Sequence, residues 1–139
     1  MGVGECAGEV VPFVQFGLAA SEREVFEAQI LLEQGDAQKA AERAYSAMLV
    51  AARALTKEKN ENLGEDPSEI VAEFKTNLVE PKLFADPYQG RVFANYLFRV
   101  HEQGVGKATR ESAHQLIEEA QLFVDAAHQC YTRIGQAMP

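Results

Sequence analysis

The sequence predicts an all-α bundle of about five helices, and three observations lead there. From Phe16 to Ile134 the apolar residues recur at three- and four-residue spacing, the period of a helix with one buried face. The breaks between these runs carry helix-end chemistry at Gly35-Asp36, Asp66-Pro67 and Gly104-Val105-Gly106. No alternating run is long enough for a strand, and the one extended candidate, residues 10–16, contains Pro12, which a central strand does not tolerate.

The elements follow in order. The first helix is expected to start near Phe16 or at Ser21 and end at Gln34. Ser21 with Glu24 has capping-box spacing, whereas Leu18, Val25 and Leu32 share one face and favour the earlier start. Gly35 suits a helix end and Asp36 the next N-cap, so the first two helices are antiparallel neighbours. The second helix, residues 37–57, carries an alanine stripe (Ala40, Ala44, Ala47, Ala51, Ala54) beside Tyr45, Met48, Leu49 and Leu55. So wide an apolar arc predicts a central helix approached closely by several others. Residues 57–66 are polar except for Leu63 and read as a loop. Asp66, Pro67 and Glu69 then restart a helix with Ile70, Phe74 and Leu78 inward. Pro81 and Pro87 bracket a break around Phe84. A fourth helix over residues 88–103 should bury Val92, Phe93, Tyr96, Leu97 and Val100, and Gly104 and Gly106 end it. The last helix, residues 108–134, repeats Leu116, Ala120, Phe123, Ala127, Tyr131 and Ile134 on one face. No solenoid-length repeat is present.

At 139 residues the chain is expected to be one bundle domain over residues 16–139, preceded by a junction over residues 1–15. A domain of this size buries roughly two-thirds of its unfolded surface and needs no staples. The 13 basic and 21 acidic residues give a formal charge of −8, a field that repels nucleic acid and anionic membranes at long range. No apolar run approaches the roughly 20 residues of a membrane span, and the opening residues lack the basic and apolar regions of a signal peptide. Cys6 and Cys130 are far apart in sequence and fit a reducing cytoplasm. A cytoplasmic protein is therefore expected.

Few constellations could carry chemistry. Glu111 and His114 have the Glu-x-x-His spacing of ferritin-like metal sites, and Asp125 with His128 imitates it. Such a site needs ligands from several helices, whereas these share one helix. Their phase sets Glu111, His114, Glu118 and Asp125 opposite the Leu116/Phe123 face, with His128 at its edge, so a solvated face is expected and no metal. Arg99 with His101, and Arg110 with His114, could serve acid–base chemistry, yet no nucleophile of recognisable context stands beside either pair. Gly104-Val105-Gly106-Lys107 lacks the strand, glycine frame and Ser/Thr of a phosphate loop. No catalytic residue is expected.

Two runs carry a family resemblance. LLEQGDAQKAAERAYSAMLVAARALTK (residues 31–57) and RESAHQLIEEAQLFVDAAHQCY (residues 110–131) resemble the first hairpin and the closing helix of HEPN-type domains, and the likeness spans most of residues 16–135. It implies an up-and-down bundle and, in many members, a dimeric ribonuclease with an Arg-x4-6-His motif. Here three residues lie between Arg110 and His114 and one between Arg99 and His101, so the family's catalytic pair does not transfer. A non-catalytic member that forms homo-oligomers is the expectation, with the broad apolar arc of the second helix as added support.

GVGECAGE (residues 2–9) ahead of such a bundle resembles the C-terminal extension of nitrite/sulfite reductase-like proteins. That likeness implies an accessory domain with an upstream reductase portion as its partner. Siroheme and an iron–sulfur cluster would belong to that portion, since a cluster needs several cysteines and only Cys6 lies near the join. The expected function is thus a binding or assembly module without its own cofactor. The alternatives are a ribonuclease or nucleotide-binding protein using Arg99, His101, Arg110 or His114, and a metal-binding bundle built on Glu111 and His114.

Overall fold

The computed structural model describes residues 13–84 and 92–137, with the backbone alone for residue 92 and residues 134–137. Five α-helices stand among them, α1 (Phe13–Glu33), α2 (Ala37–Thr56), α3 (Pro67–Phe74), α4 (Val92–Gln103) and α5 (Arg110–Ala137), with one π-helical turn (Lys75–Val79) continuing α3. No strand occurs among the described residues. The all-α fold expected from apolar spacing is the fold observed.

The turn between α1 and α2 forms as its residues dictate. Gly35 takes a φ of +89°, where a side chain would be strained, and its N–H bonds the Leu32 carbonyl at 3.0 Å. The Asp36 carboxylate then accepts from Lys39 N at 3.0 Å and caps α2. Asp66 caps α3 in the same way, accepting from Glu69 N at 3.1 Å. Gly104 and Gly106, with φ of +75° and +65°, end α4 and lead to α5.

The helices run up and down. Arg43 on α2 ion-pairs with Glu24 and Glu27 on α1, and Phe13 at the start of α1 lies beneath Arg53 and Lys57 at the end of α2. Rising numbers on one helix thus meet falling numbers on the other. The α1–α5 pair is antiparallel by the same test, with Glu22 beside His128 and Leu32 beside Arg110. Helix α2 touches every other element, and its Ala40, Ala44, Ala47 and Ala51 are fully buried. Small side chains let neighbours approach closely. At Gly17 of α1 an added Cβ would stand 2.5 Å from the Ala54 Cβ.

At one end of the core Phe74, Phe84 and Phe123 are packed with ring centroids 5.0–5.6 Å apart, and Phe98 joins Phe74 at 6.1 Å. The inward face expected of Ile70, Phe74 and Leu78 is buried, as are Leu63, Leu97 and Val100. Burial of this kind contributes roughly 25 cal/mol per Å² of apolar surface.

Several boundaries differ from expectation. Helix α1 is described from Phe13, three residues before the expected Phe16. Ser21 is no N-cap: it is fully buried in mid-helix, and its hydroxyl donates to the Leu18 carbonyl at 2.7 Å. A buried serine satisfied by its own helix can sit on a core face. Helix α4 is described from Val92, and the expected residues 88–91 lie outside the described residues, as does Pro87. Helix α5 starts at Arg110, not Ala108, because Thr109 and Ser112 cap each other. Ser112 N donates to Thr109 Oγ1 at 3.0 Å and Thr109 N to Ser112 Oγ at 2.9 Å. Phe93, Tyr96 and Tyr131 are half-buried rather than buried. The π-helical turn had no sequence signal. Closed by i→i+5 bonds, it carries the consecutive buried residues Leu78 and Val79, and the Leu78 carbonyl accepts from both Leu83 N and Phe84 N at 2.9 and 2.8 Å.

Candidate functional site

Among the described residues, the side chains singled out from the sequence each take a definite place. Glu111, His114, Glu118 and Asp125 lie on the exposed side of α5, as their phase predicted. His114 Nε2 stands 3.8 Å from Glu118 Oε2 one turn along, and Gln121 donates to Asp125 at 3.0 Å. His128 is half-buried, with Nε2 at 2.7 Å from Glu22 Oε2, the distance of an ion pair without the alignment of a hydrogen bond. Among the described residues no three histidine, cysteine or acidic side chains gather as metal ligands would.

The two arginine–histidine pairs face different neighbours. Arg99 reaches across to α5 and ion-pairs with Glu119, whose side chain keeps only 10% of its exposure, while Gln115 donates to the other Glu119 oxygen at 3.2 Å. Arg99 also lies over the Tyr96 ring, 5.8 Å from its centroid. His101 faces α2 instead, with Nδ1 at 2.9 Å from the Tyr45 hydroxyl, and burial pushes the Tyr45 phenol above its ordinary range. Both members of the first pair are therefore joined to neighbouring helices as packing contacts.

Arg110 and His114 line an open groove of about 590 Å³ between α1 and α5, with Leu32 and Ile117 in its apolar part and Glu33 and Glu118 on its rim. The Arg110 guanidinium approaches the Leu32 carbonyl at 3.5 Å. Among the described residues no hydrogen bond or ion pair joins Arg99 or His101 to Arg110 or His114. No serine, threonine or cysteine hydroxyl or thiol lines this groove.

Cys130 is fully buried. Its Sγ lies 3.2 Å from the Leu83 carbonyl, and burial pushes the thiol up to about 11 against the opposing pull of Arg133. A thiol held protonated this far is a packing group, not a nucleophile. Cys6 lies outside the described residues.

The feature that sequence reasoning missed is on α1. Phe16, Phe26 and Ile30 keep 67%, 60% and 38% of their surface exposed, and Leu122 on the neighbouring α5 keeps 40%. Single exposed apolar residues are ordinary, but a row of large ones on one helix face marks an interaction surface. The signal present in sequence was Phe16, Phe26 and Ile30 on one helical face, with Ala19 and the charged Arg23 between them. It was obscured because α1 has apolar residues on its inner face too. The wide apolar arc of α2, expected to favour association, is instead covered by the rest of the bundle.

No helix among the described residues is long and apolar enough to cross a membrane. Compared with known proteins, the chain has no significant match to a family model, a curated protein or a solved structure.

Proposed function

We propose that this chain is a non-catalytic binding and assembly module that works through the outer face of α1 and forms homo-oligomers. The exposed row Phe16, Phe26 and Ile30 with Leu122 carries the proposal, because leaving such side chains in water forgoes burial free energy that a partner surface would recover. The separate engagements of Arg99 with Glu119 and of His101 with Tyr45 fit the same reading, since acid–base catalysis asks such groups to converge on one site.

The finer relationship is part of this proposal. The likeness of residues 31–57 and 110–131 to HEPN-type domains supports a HEPN-like bundle, and residues 2–9 support a role as accessory domain of a siroheme nitrite/sulfite reductase-like protein in the cytoplasm. In that setting siroheme and the iron–sulfur cluster belong to the reductase, and this bundle supplies a docking surface.

Light scattering across a concentration series tests the central claim. Wild type is expected to shift from monomer to a higher species, and Phe26→Glu to remain monomeric with an unchanged helical circular dichroism spectrum. A strict monomer at high concentration would count against it. RNA cleavage that disappears in Arg110→Ala and His114→Ala would favour the ribonuclease alternative, and stoichiometric metal lost in His114→Ala would favour the metal-binding one.

A further inference from the structure

The geometry points to the groove between α1 and α5 as a binding site for a short apolar peptide with free termini, its carboxylate held by Arg110 and its ammonium by Glu118. The site is separate from the proposed assembly face, since none of Phe16, Phe26 and Ile30 lines the groove.

Length selects the ligand. The groove holds about 590 Å³, within the roughly 300–1,000 Å³ of small-molecule sites. It continues past Glu118 to Gln121 and Leu122, so it is elongated along α5. Arg110 and Glu118 both line it, and the eight residues from one to the other place them about 12 Å apart at 1.5 Å per residue. Three extended residues span roughly 10–11 Å, so a tripeptide reaches from one charge to the other and a single amino acid does not.

The groups lining this stretch suit a peptide. Leu32 from α1 and Ile117 from α5 give it an apolar floor, while Gln29 and His114 stand on the two facing walls. An amide and an imidazole both hydrogen-bond, so they serve the N–H and C=O groups of a bound backbone.

The two charges have capacity left for a ligand. Arg43 and Arg99 are engaged with carboxylates, and Arg53 donates to the Gly64 carbonyl at 2.7 Å. Arg110 forms no ion pair among the described residues, and its contact with the Leu32 carbonyl is long at 3.5 Å. A guanidinium fork holds a carboxylate by two parallel hydrogen bonds. Glu118 meets His114 alone among the described residues, at 3.8 Å. Glu33 on the α1 wall then sets selectivity, because one guanidinium stands against two carboxylates. A zwitterion fits that balance, whereas phosphate and acidic side chains are repelled.

Nuclear magnetic resonance titration of the full chain with the tripeptide leucyl-alanyl-leucine tests the site. Amide signals of Gln29, Glu33 and His114 are expected to shift, with a dissociation constant of about 1 mM or tighter. Amidating the carboxylate and acetylating the amine are each expected to weaken binding about fivefold, the upper range for an exposed ion pair. Arg110→Gln should abolish the penalty of amidation and keep that of acetylation, and Glu118→Gln should do the reverse. Both side chains are exposed, and circular dichroism checks that each variant keeps the fold. Phe26→Glu, altered outside the groove, is expected to bind as wild type does, which separates this site from self-association. Equal binding of free and blocked peptides overturns the inference, as does inorganic phosphate binding more tightly than the peptide. Loss of binding in Phe26→Glu, or no shift by about 10 mM peptide, overturns it too.

Discussion

Gly17 shows how one atom can set the distance between two helices. In an exposed helix interior, alanine in place of glycine stabilises by about 1 kcal/mol. Here the new methyl would meet the Ala54 Cβ at 2.5 Å, and over-packing costs about 1–3 kcal/mol. Gly17→Ala is therefore expected to lower stability in urea unfolding, with Ala54→Gly restoring part of the loss. An unchanged or raised midpoint would show that α1 and α2 separate freely. The two arginine contacts should differ in the same measurement. Arg99→Ala leaves the nearly buried Glu119 carboxylate with Gln115 alone and should cost about 1–3 kcal/mol. Arg43→Ala, whose side chain is 41% exposed, should cost less than about 1 kcal/mol. Cys130 adds a pH effect. Its thiol ionises at about 11 in the fold and at about 8.5 in an unfolded chain. The contribution is fully present below the lower value and is lost as pH rises towards 11. Cys130→Ala should flatten part of the alkaline decline in stability across that window, and an identical decline would refute the assignment.

Each helix tells how far local signals reach. The caps at Asp36 and Asp66 were legible because one carboxylate serves an N–H three residues on, wherever the helix later packs. Replacing either by alanine should cost about 1 kcal/mol. In hydrogen exchange, Asp66→Ala should speed amides in α3 and the following π-helical turn, while Asp36→Ala should lower protection through the whole bundle, since α2 touches every other element. Uniform loss in both variants would contradict that division. Ser21 was misread for the opposite reason. Its spacing to Glu24 matches a capping box, but the helix extends back to Phe13 and Glu24 is spent on Arg43 and Ser46 of α2. The π-helical turn after Phe74 was illegible because what selects it is the burial of Leu78 and Val79 against residues remote in sequence.

At the scale of the molecule, the acidic charge and the apolar face of α1 pull against each other. Screening weakens repulsion between two copies of charge −8, while salt leaves apolar burial intact. Association is thus expected to tighten as ionic strength rises from about 0.01 M to about 1 M, where the Debye length shrinks from about 30 to about 3 Å. Weakening over that range, followed by sedimentation, would point to an interface built on charge instead. The candidate site was less legible than the fold. Phase alone set Glu111, His114 and Asp125 on the solvated side of α5. It could not tell which of two apolar faces of α1 the bundle would cover.

That division has a physical cause. The sequence by itself determined the helices, the turn at Gly35-Asp36, the caps at Asp36 and Asp66 and the burial of the α2 alanines, because spacing and capping act within a few residues. Only the tertiary structure decided that Arg99 would meet Glu119 and His101 would meet Tyr45. It also decided that Phe16, Phe26 and Ile30 would be left outside. Those outcomes depend on which helix faces pair across the chain, and a face is covered or left open only once every other helix has taken its place.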